Sequence, residues 1–182
     1  MLGLILVAGI AFGAVKGVPF LLDRFAPSNA APMPTSTEDA TGPDEQAMAN
    51  PVGCLQSAVS MQLGLSESQV NAGSRVQVPV TITNTGEVPC LLDVGNDSLT
   101  MVITSGDDTI WTTAQCPAGN AERRILLPAG GVEETAISWS GRRSAADCPR
   151  DTNAARAGTY QVQVSLAVDG SEVTQRRTLT LT

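Results

Sequence analysis

The sequence predicts an all-β domain, built as a sandwich of two sheets, that follows an apolar segment and a polar linker. From residue 54 onwards, apolar residues recur at every second position, which is the period of a half-buried strand. Clusters of Gly, Asn, Asp and Pro separate these runs at short intervals, and no run shows the longer period of an amphipathic helix. Short strands spaced in this way are typical of a β-sandwich.

Residues 1–22 are almost wholly apolar, and their number is close to the roughly 20 residues that a helix needs to cross a bilayer. Lys16 lies near one end of the stretch, where its stem can reach the headgroups, and Pro19 falls in the last turn of a spanning helix. We therefore predict a transmembrane anchor at 1–22. The competing interpretation is a cleaved signal peptide, although the basic segment that usually opens one is missing.

Residues 23–53 are rich in Pro, Ala, Ser, Thr and acidic residues and show no hydrophobic period. This composition predicts a disordered, solvated linker that holds the folded part away from the membrane surface. The folded domain is accordingly predicted at 54–182.

The first two predicted strands come from two alternating apolar runs. The alternating residues are Val59, Met61, Leu63 and Leu65 in the first run and Val76, Val78, Val80 and Ile82 in the second. Pro79 lies within the second run and cannot donate to a ladder, so we expect that strand to lie at a sheet edge or to carry a bulge there.

Further strands are predicted between turn signals, and the last two form the clearest pair. The intermediate strands are predicted at 90–94, 99–104, 109–113, 124–127 and 133–139. In the closing pair, Asp169-Gly170 is a favoured two-residue hairpin turn. The inward residues of that pair are predicted to be Tyr160, Val162, Val164, Leu166, Val168, Leu179 and Leu181.

Tyr160 ends the run Ala157-Gly158-Thr159-Tyr160 at the head of the penultimate strand. This run resembles the tyrosine corner of immunoglobulin-like folds, in which the hydroxyl bonds to an upstream backbone group. The alternative is that Tyr160 is simply a core aromatic.

The order of these motifs also resembles a known group of proteins. The motifs are Ile82-Thr83-Asn84-Thr85-Gly86 at the end of a strand, Ile110-Trp111 in a later strand, a Pro-Ala-Gly-Gly turn, Trp139, and then the tyrosine motif. This order is similar to that of uncharacterised membrane-anchored, immunoglobulin-like extracytoplasmic proteins of actinobacteria, and more distantly to proteinase-inhibitor-type β-domains of bacilli. The resemblance covers about residues 57–182 and implies an immunoglobulin-like sandwich. Four cysteines and the apolar N-terminal segment set this chain apart from the bacillary domains.

Composition argues against several classes of function. The net charge is −7, and Lys and Arg form no cluster larger than a pair, so we expect no nucleic-acid partner. The chain has no histidine, which is the commonest general base and transition-metal ligand. We therefore expect no enzyme, no cofactor and no metal site.

Acidic residues and an asparagine near predicted turns could in principle line a calcium site. They are Asp93, Asn96, Asp97, Asp107 and Asp108. Hard cations take oxygens from loops, but the spacing of an EF-hand is absent, so we interpret these residues as turn formers.

One stretch between predicted strands is locally basic. It contains Arg142, Arg143, Arg150 and Arg156. A solvated loop is the ordinary interpretation, and contact with an anion or a partner is the alternative. Trp111 and Trp139 lie in strand-like runs, so we expect both in the core and not on a binding surface.

Four cysteines permit three connectivities, and we predict Cys54 with Cys90 and Cys116 with Cys148. Antiparallel pairing of the first two strands places Cys54 beside the far end of the second, and Cys90 follows that end closely. The other two cysteines follow the two tryptophan strands. An even set of cysteines at turns and strand ends is typical of an oxidising compartment, so we predict a single-pass membrane protein with its domain outside the cytoplasm.

Two functional hypotheses follow. The first is a non-enzymatic binding or structural module of the cell envelope, whose partner is another envelope protein or polymer. The alternative is an inhibitor-like domain that presents the 141–156 loop to a secreted hydrolase.

Overall fold

The computed structural model of the chain describes residues 49–182, and β-strands dominate this part. A short 3-10 helix, Gln56–Ala58, precedes the first strand. The strands are β1 (Val59–Leu63), β2 (Gln69–Val70), β3 (Val76–Asn84), β4 (Cys90–Asp93), β5 (Leu99–Ser105), β6 (Asp108–Thr112), β7 (Arg124–Leu127), β8 (Val132–Trp139), β9 (Gly158–Val168) and β10 (Ser171–Leu181). The all-β prediction is confirmed, because every predicted strand is present.

The strands form three sheets that share one buried core. One sheet has the order β1-β3-β8, the second β2-β10-β9-β5-β6, and the third pairs β4 with β7. Neighbours are antiparallel except β2 and β10, which are parallel. The core contains the alternating apolar residues of each sheet, including Val78, Met101, Val162 and Leu179, which are fully buried.

The connection between β1 and β3 contains a strand that the sequence did not reveal. β1 and β3 pair antiparallel, with Val59 opposite Asn84, as predicted. Between them the chain crosses to the five-stranded sheet, where β2 pairs with the end of β10. A two-residue strand is too short to show a period, so its register depends wholly on its distant partner.

The prediction that Pro79 marks an edge or a bulge is wrong. β3 is the central strand of its sheet, and its register with β8 runs without interruption through the pair Pro79 and Ala136. The carbonyl of Pro79 accepts a hydrogen bond from the amide of Gly64, at 2.9 Å, just beyond the end of β1. Because the N and C=O of a strand residue face the same neighbour, the missing N–H of Pro79 lies where the β1 ladder stops. A central strand therefore accommodates a proline at the point where its neighbour ends.

The closing hairpin follows the sequence closely. β9 and β10 pair along their full length, with Val168 opposite Ser171 across the turn. Asp169 and Gly170 both have positive φ, 51° and 70°, as the favoured two-residue turn requires.

Asn84 is a fully buried polar residue at the end of β3. Its Nδ2 lies within hydrogen-bond distance of the carbonyls of Val88, Leu127 and Pro128, at 2.9 to 3.1 Å. Its Oδ1 accepts from the amide of Gly86 at 2.9 Å. One side chain thus joins the end of β3 to the turns that follow β3 and β7.

The predicted anchor at 1–22 and all but the last few residues of the predicted linker at 23–53 lie outside the described residues. Between residues 49 and 182, the structure contains no helix with the length and apolar character needed to span a bilayer.

Candidate functional site

Both disulfides have the pairing that the sequence predicts. Cys54 joins Cys90 with a Cα separation of 4.8 Å, and Cys116 joins Cys148 with a Cα separation of 4.9 Å. The first bridge is buried and ties the entry of the domain to β4. The second ties the chain after β6 to the loop between β8 and β9, and its Cys148 is exposed.

The loop between β8 and β9, residues 141–156, carries the four predicted arginines and is called here the arginine loop. Its two arms pair with each other. An isolated antiparallel bridge joins Arg142 to Ala154, the Arg143 amide donates to the Asn153 carbonyl at 2.9 Å, and the Ala155 amide donates to the Gly141 carbonyl at 2.9 Å. The loop therefore has a fixed base.

Two core aromatic residues hold the ends of this loop. Trp139 Nε1 donates to the Arg142 carbonyl at 2.8 Å, and the Tyr160 hydroxyl donates to the Arg156 carbonyl at 2.6 Å. Both rings are buried. Tyr160 thus has both features that the sequence suggested, a place in the core and the upstream backbone bond of a tyrosine corner. Trp111 is buried as well, so the core prediction for both tryptophans is confirmed.

Gly141 opens the loop at a position that excludes a side chain. Its φ is 75°, and a Cβ added there would lie 2.7 Å from the carbonyl carbon of Gly73 and closer still to the Ser74 oxygen. Such a distance is far below van der Waals contact. The first arm of the loop can therefore lie against the turn that leads into β3 only because residue 141 is a glycine.

The first arm also lies along the edge strand β6. The Ser144 amide donates to the Ile110 carbonyl at 2.9 Å, and the Thr112 amide donates to Ser144 Oγ at 3.1 Å. Arg143 forms a bidentate ion pair with Asp108, in which Nη1 donates to Oδ2 at 2.9 Å and Nη2 donates to Oδ1 at 2.7 Å. The hydrogen bond from Arg143 lowers the pKa of Asp108, and the same bond raises the pKa of Arg143.

A groove of about 520 Å³ lies beside the loop, and we call it the arginine groove. Four arginines line it, and the Cys116–Cys148 disulfide and Trp111 lie among them. The four arginines are Arg75, Arg142, Arg143 and Arg150. No carboxylate is among the lining residues, so the groove is a concentration of positive charge on an acidic chain.

Three of these arginines have no carboxylate partner within residues 49–182. Arg142 is half-buried and donates through its guanidinium to the Thr152 carbonyl. Its Nε is buried and has no hydrogen-bond partner in the described part of the chain. Arg75 makes one long contact, 3.4 Å, to Ser138 Oγ, and Arg150 is exposed.

The fourth predicted arginine, Arg156, does not line the arginine groove, and of the other three only Arg143 also lines the groove that contains Arg156. Arg156 lines a second groove, of about 560 Å³, on the side of the loop that contains Asp108 and Tyr160. Arg75, in contrast, was not predicted as a site residue. The register of β3 with β8, in which Val76 lies opposite Trp139, is what brings Arg75 to the base of the loop. A correct prediction that β3 pairs with β8 in this register would have identified Arg75 as a site residue.

The acidic residues near the turns have a structural role at Asp93. Its carboxylate accepts from the amides of Arg123 and Gly95, at 2.8 and 2.9 Å, and from the Ser98 hydroxyl at 3.0 Å. Burial acts to raise the pKa of Asp93, but these hydrogen bonds and the charge of Arg124 outweigh it and lower the pKa. Within the described residues, no group of three acidic, His or Cys side chains is arranged to hold a metal ion.

Comparison with known proteins identifies no family. No family model matches the sequence, and no curated protein matches it. Among solved structures, a cycloisomaltooligosaccharide glucanotransferase from Paenibacillus sp. is 12% identical with a TM-score of 0.44, over 66% of this chain and 13% of that chain. The sporulation control protein Spo0M from Bacillus subtilis is 13% identical with a TM-score of 0.44, over 68% of this chain and 49% of that chain. The alkylpurine DNA glycosylase AlkC from Pseudomonas fluorescens is 16% identical with a TM-score of 0.42, over 68% of this chain and 30% of that chain. The chain therefore spans half or less of the length of each of these proteins, and each is similar to it only in part of its backbone.

Proposed function

We propose that this chain is a non-enzymatic binding module of the cell envelope, anchored in the membrane by residues 1–22, with its folded part outside the cytoplasm. The observation that carries the proposal is the bracing of the arginine loop. A disulfide, two buried aromatic side chains and paired arms all fix a loop whose Arg142 and Arg150 have no carboxylate partner within residues 49–182. A loop that only connects two strands does not need these restraints. A binding loop that is already rigid loses less conformational entropy when it binds its partner.

The extracytoplasmic location is supported by the cysteines. All four are paired, and no free thiol is present in the described residues. Structural disulfides persist in oxidising compartments and are rare in the cytosol of mesophiles. The anchor and the linker rest on the apolar run at 1–22 and the polar composition of 23–53.

We also propose that the domain is an immunoglobulin-like sandwich. Two observations support this finer assignment. Tyr160 bonds to the backbone of Arg156 at the start of β9, as in a tyrosine corner, and antiparallel sheets bury their inward faces in one core.

A capture experiment with the full chain tests the binding role. The tagged full-length protein is expressed in its host, and partners are recovered from detergent-solubilised membranes and quantified. An Arg150→Gln variant is compared with Arg176→Gln, which removes the same charge from β10. We expect an envelope partner, recovered in stoichiometric amount, that is lost with Arg150→Gln and kept with Arg176→Gln. Equal recovery with both variants, or no partner across several detergents and salts, would contradict the proposal.

The inhibitor-like alternative has one observation in its favour, because a closed loop on a rigid base is also what a hydrolase inhibitor presents. Recovery of a secreted protease through the same loop, together with inhibition of that protease by the purified chain, would support the alternative instead.

A further inference from the structure

We propose that the arginine groove binds a phosphate-bearing group. This inference rests on the proposed binding role of the arginine loop and names the chemistry of its ligand.

The charges of the groove come from three separate places in the chain. Arg75 lies just before β3, Arg142 and Arg143 lie on the first arm of the loop, and Arg150 lies beyond the disulfide. The backbone positions of these residues are fixed by the β3–β8 register, the bridge at Arg142 and the Cys116–Cys148 bond. The groove is therefore assembled by the fold and is not an accident of a basic run in sequence.

Little of this positive charge is neutralised within the described residues. Asp108 compensates Arg143. The loop also contains Asp147 and Asp151, but neither lines the groove. Arg75, Arg142 and Arg150 have no carboxylate partner in residues 49–182, so their mutual repulsion is relieved by an anion in the groove.

The number of guanidinium groups favours phosphate over carboxylate. Each guanidinium offers parallel N–H donors that match two oxygens of a carboxylate or a phosphate. A carboxylate has two oxygens and one charge, so a single guanidinium satisfies it. A phosphate has more acceptor oxygens and, as a monoester, up to two charges, which suits three arginines that line one groove.

Arg142 adds a second, independent reason for an anion. Its Nε–H is buried and has no hydrogen-bond partner among residues 49–182, and its guanidinium donates to the Thr152 carbonyl. A charged donor in this state is destabilised unless negative charge lies nearby. The volume of about 520 Å³ leaves room for a group larger than a bare phosphate ion.

The test uses the purified full chain in a nonionic detergent and measures binding by the fluorescence of Trp111 and Trp139. Trp111 lines the groove, and Trp139 lies beneath Arg142. Pyrophosphate, glycerol 3-phosphate and acetate are titrated at constant ionic strength. We expect saturable binding of both phosphate compounds, with acetate weaker by about tenfold or more.

The decisive comparison is between two double variants. Arg75→Gln/Arg150→Gln removes two exposed arginines of the groove, and Arg176→Gln/Arg177→Gln removes two exposed arginines of β10. We expect the first to weaken phosphate binding by about tenfold or more and the second to leave it unchanged. If the first variant has a lowered Tm, the single variant Arg150→Gln replaces it.

A phosphodiester probe, glycerophosphoglycerol, then separates the sources of the phosphate. Preference for glycerol 3-phosphate indicates a terminal phosphate, and equal or tighter binding of the diester indicates a lipid headgroup or a polymer. Equal binding of acetate, equal loss in both double variants, or no binding of any phosphate compound overturns the inference. In each of these cases the proposed binding role would still stand if the capture experiment recovered an envelope partner whose binding depends on Arg150.

Discussion

The ring of Trp139 lies 6.0 Å from the ring of Tyr160, and the two planes are tilted by 50°. The polar ends of the two side chains reach opposite ends of the arginine loop, where they donate to the carbonyls of Arg142 and Arg156. One aromatic pair therefore fills the core and fixes the loop. Changes in this pair are expected to affect both stability and the proposed binding, because the same two side chains fill the core and fix the loop.

Trp139→Ala is expected to lower the free energy of unfolding by about 3 to 5 kcal/mol, because a fully buried indole is lost. That is a large share of the roughly 5 to 15 kcal/mol that a domain has. Chemical denaturation measures it. Trp139→Phe keeps one aromatic ring but removes the donor to Arg142 and part of the buried volume, so its effect should be smaller, about 1 to 3 kcal/mol. A Trp139→Ala protein that melts like the wild type and has lost only phosphate binding would show that the indole is a ligand contact.

Gly141→Ala is expected to destabilise the domain more than Gly106→Ala. Both residues have positive φ, at 75° and 58°, which costs an alanine about 1 to 2 kcal/mol. A Cβ at residue 106 meets no atom within 4 Å, whereas at residue 141 it meets the backbone of Gly73 and Ser74. The difference in Tm between the two variants isolates the steric contact. Equal Tm values would mean that the loop does not lie against this turn.

The two disulfides are expected to differ in their response to mild reduction. Cys54 and Cys90 are both buried, whereas Cys148 is exposed. Attack by a thiolate requires access, so the Cys116–Cys148 bond should open first. Alkylation of the native protein at rising reductant concentration, followed by peptide mapping, measures the order. Non-reducing mapping that joins Cys54 to Cys116 or Cys148 would refute the strand arrangement as well.

Asp93 is expected to make the stability of the domain depend on pH in the acid range. Its pKa is lowered in the folded state, so its contribution is complete above about pH 5, where the unfolded carboxyl is also ionised, and is lost as the pH falls through the folded pKa. Tm should therefore fall less steeply between about pH 5 and pH 3 in Asp93→Asn than in the wild type. Asp107→Asn is the matched control, since the exposed Asp107 accepts no hydrogen bond from the described residues. Identical slopes in the wild type and Asp93→Asn would contradict the role given to these hydrogen bonds.

Protease treatment of intact protoplasts is expected to remove the domain, because the anchor and the paired cysteines place it outside the membrane in our proposal. Immunodetection of the C-terminal half, beside a cytosolic control protein, follows the reaction. A domain as protected as the cytosolic control would show that the proposed topology is wrong.

The sequence predicts most of the strands because their apolar residues alternate, and alternation is a local property. The inward residues of β3 and β9 are correct for this reason. β2 was not predicted, because two residues are too few to show an alternating pattern. The central position of Pro79 was not predicted either, because it depends on where the neighbouring strand β1 ends. Both features are set by pairing with distant segments, which a single sequence does not display.

The residues of the candidate site could likewise be predicted only in part from the sequence. Arg142, Arg143 and Arg150 were visible as a basic stretch in one loop. Arg75 stands alone in sequence, and only the pairing of β3 with β8 brings it to the groove. Arg156 belongs to the same stretch but lines a second groove, which it shares with Arg143, and the Tyr160 hydroxyl bonds to its backbone there.

The position of β10 has a consequence for the order of biogenesis. β10 lies between β2 and β9, so it is the hydrogen-bonding partner of both. Synthesis delivers β2 and β9 before β10, and the five-stranded sheet stays incomplete until β10 has followed them. In the proposed topology the chain therefore crosses the membrane without its finished sheet, and the closing hairpin forms on the far side. In that topology, β10 is the strand that joins β2 to the rest of the five-stranded sheet after export.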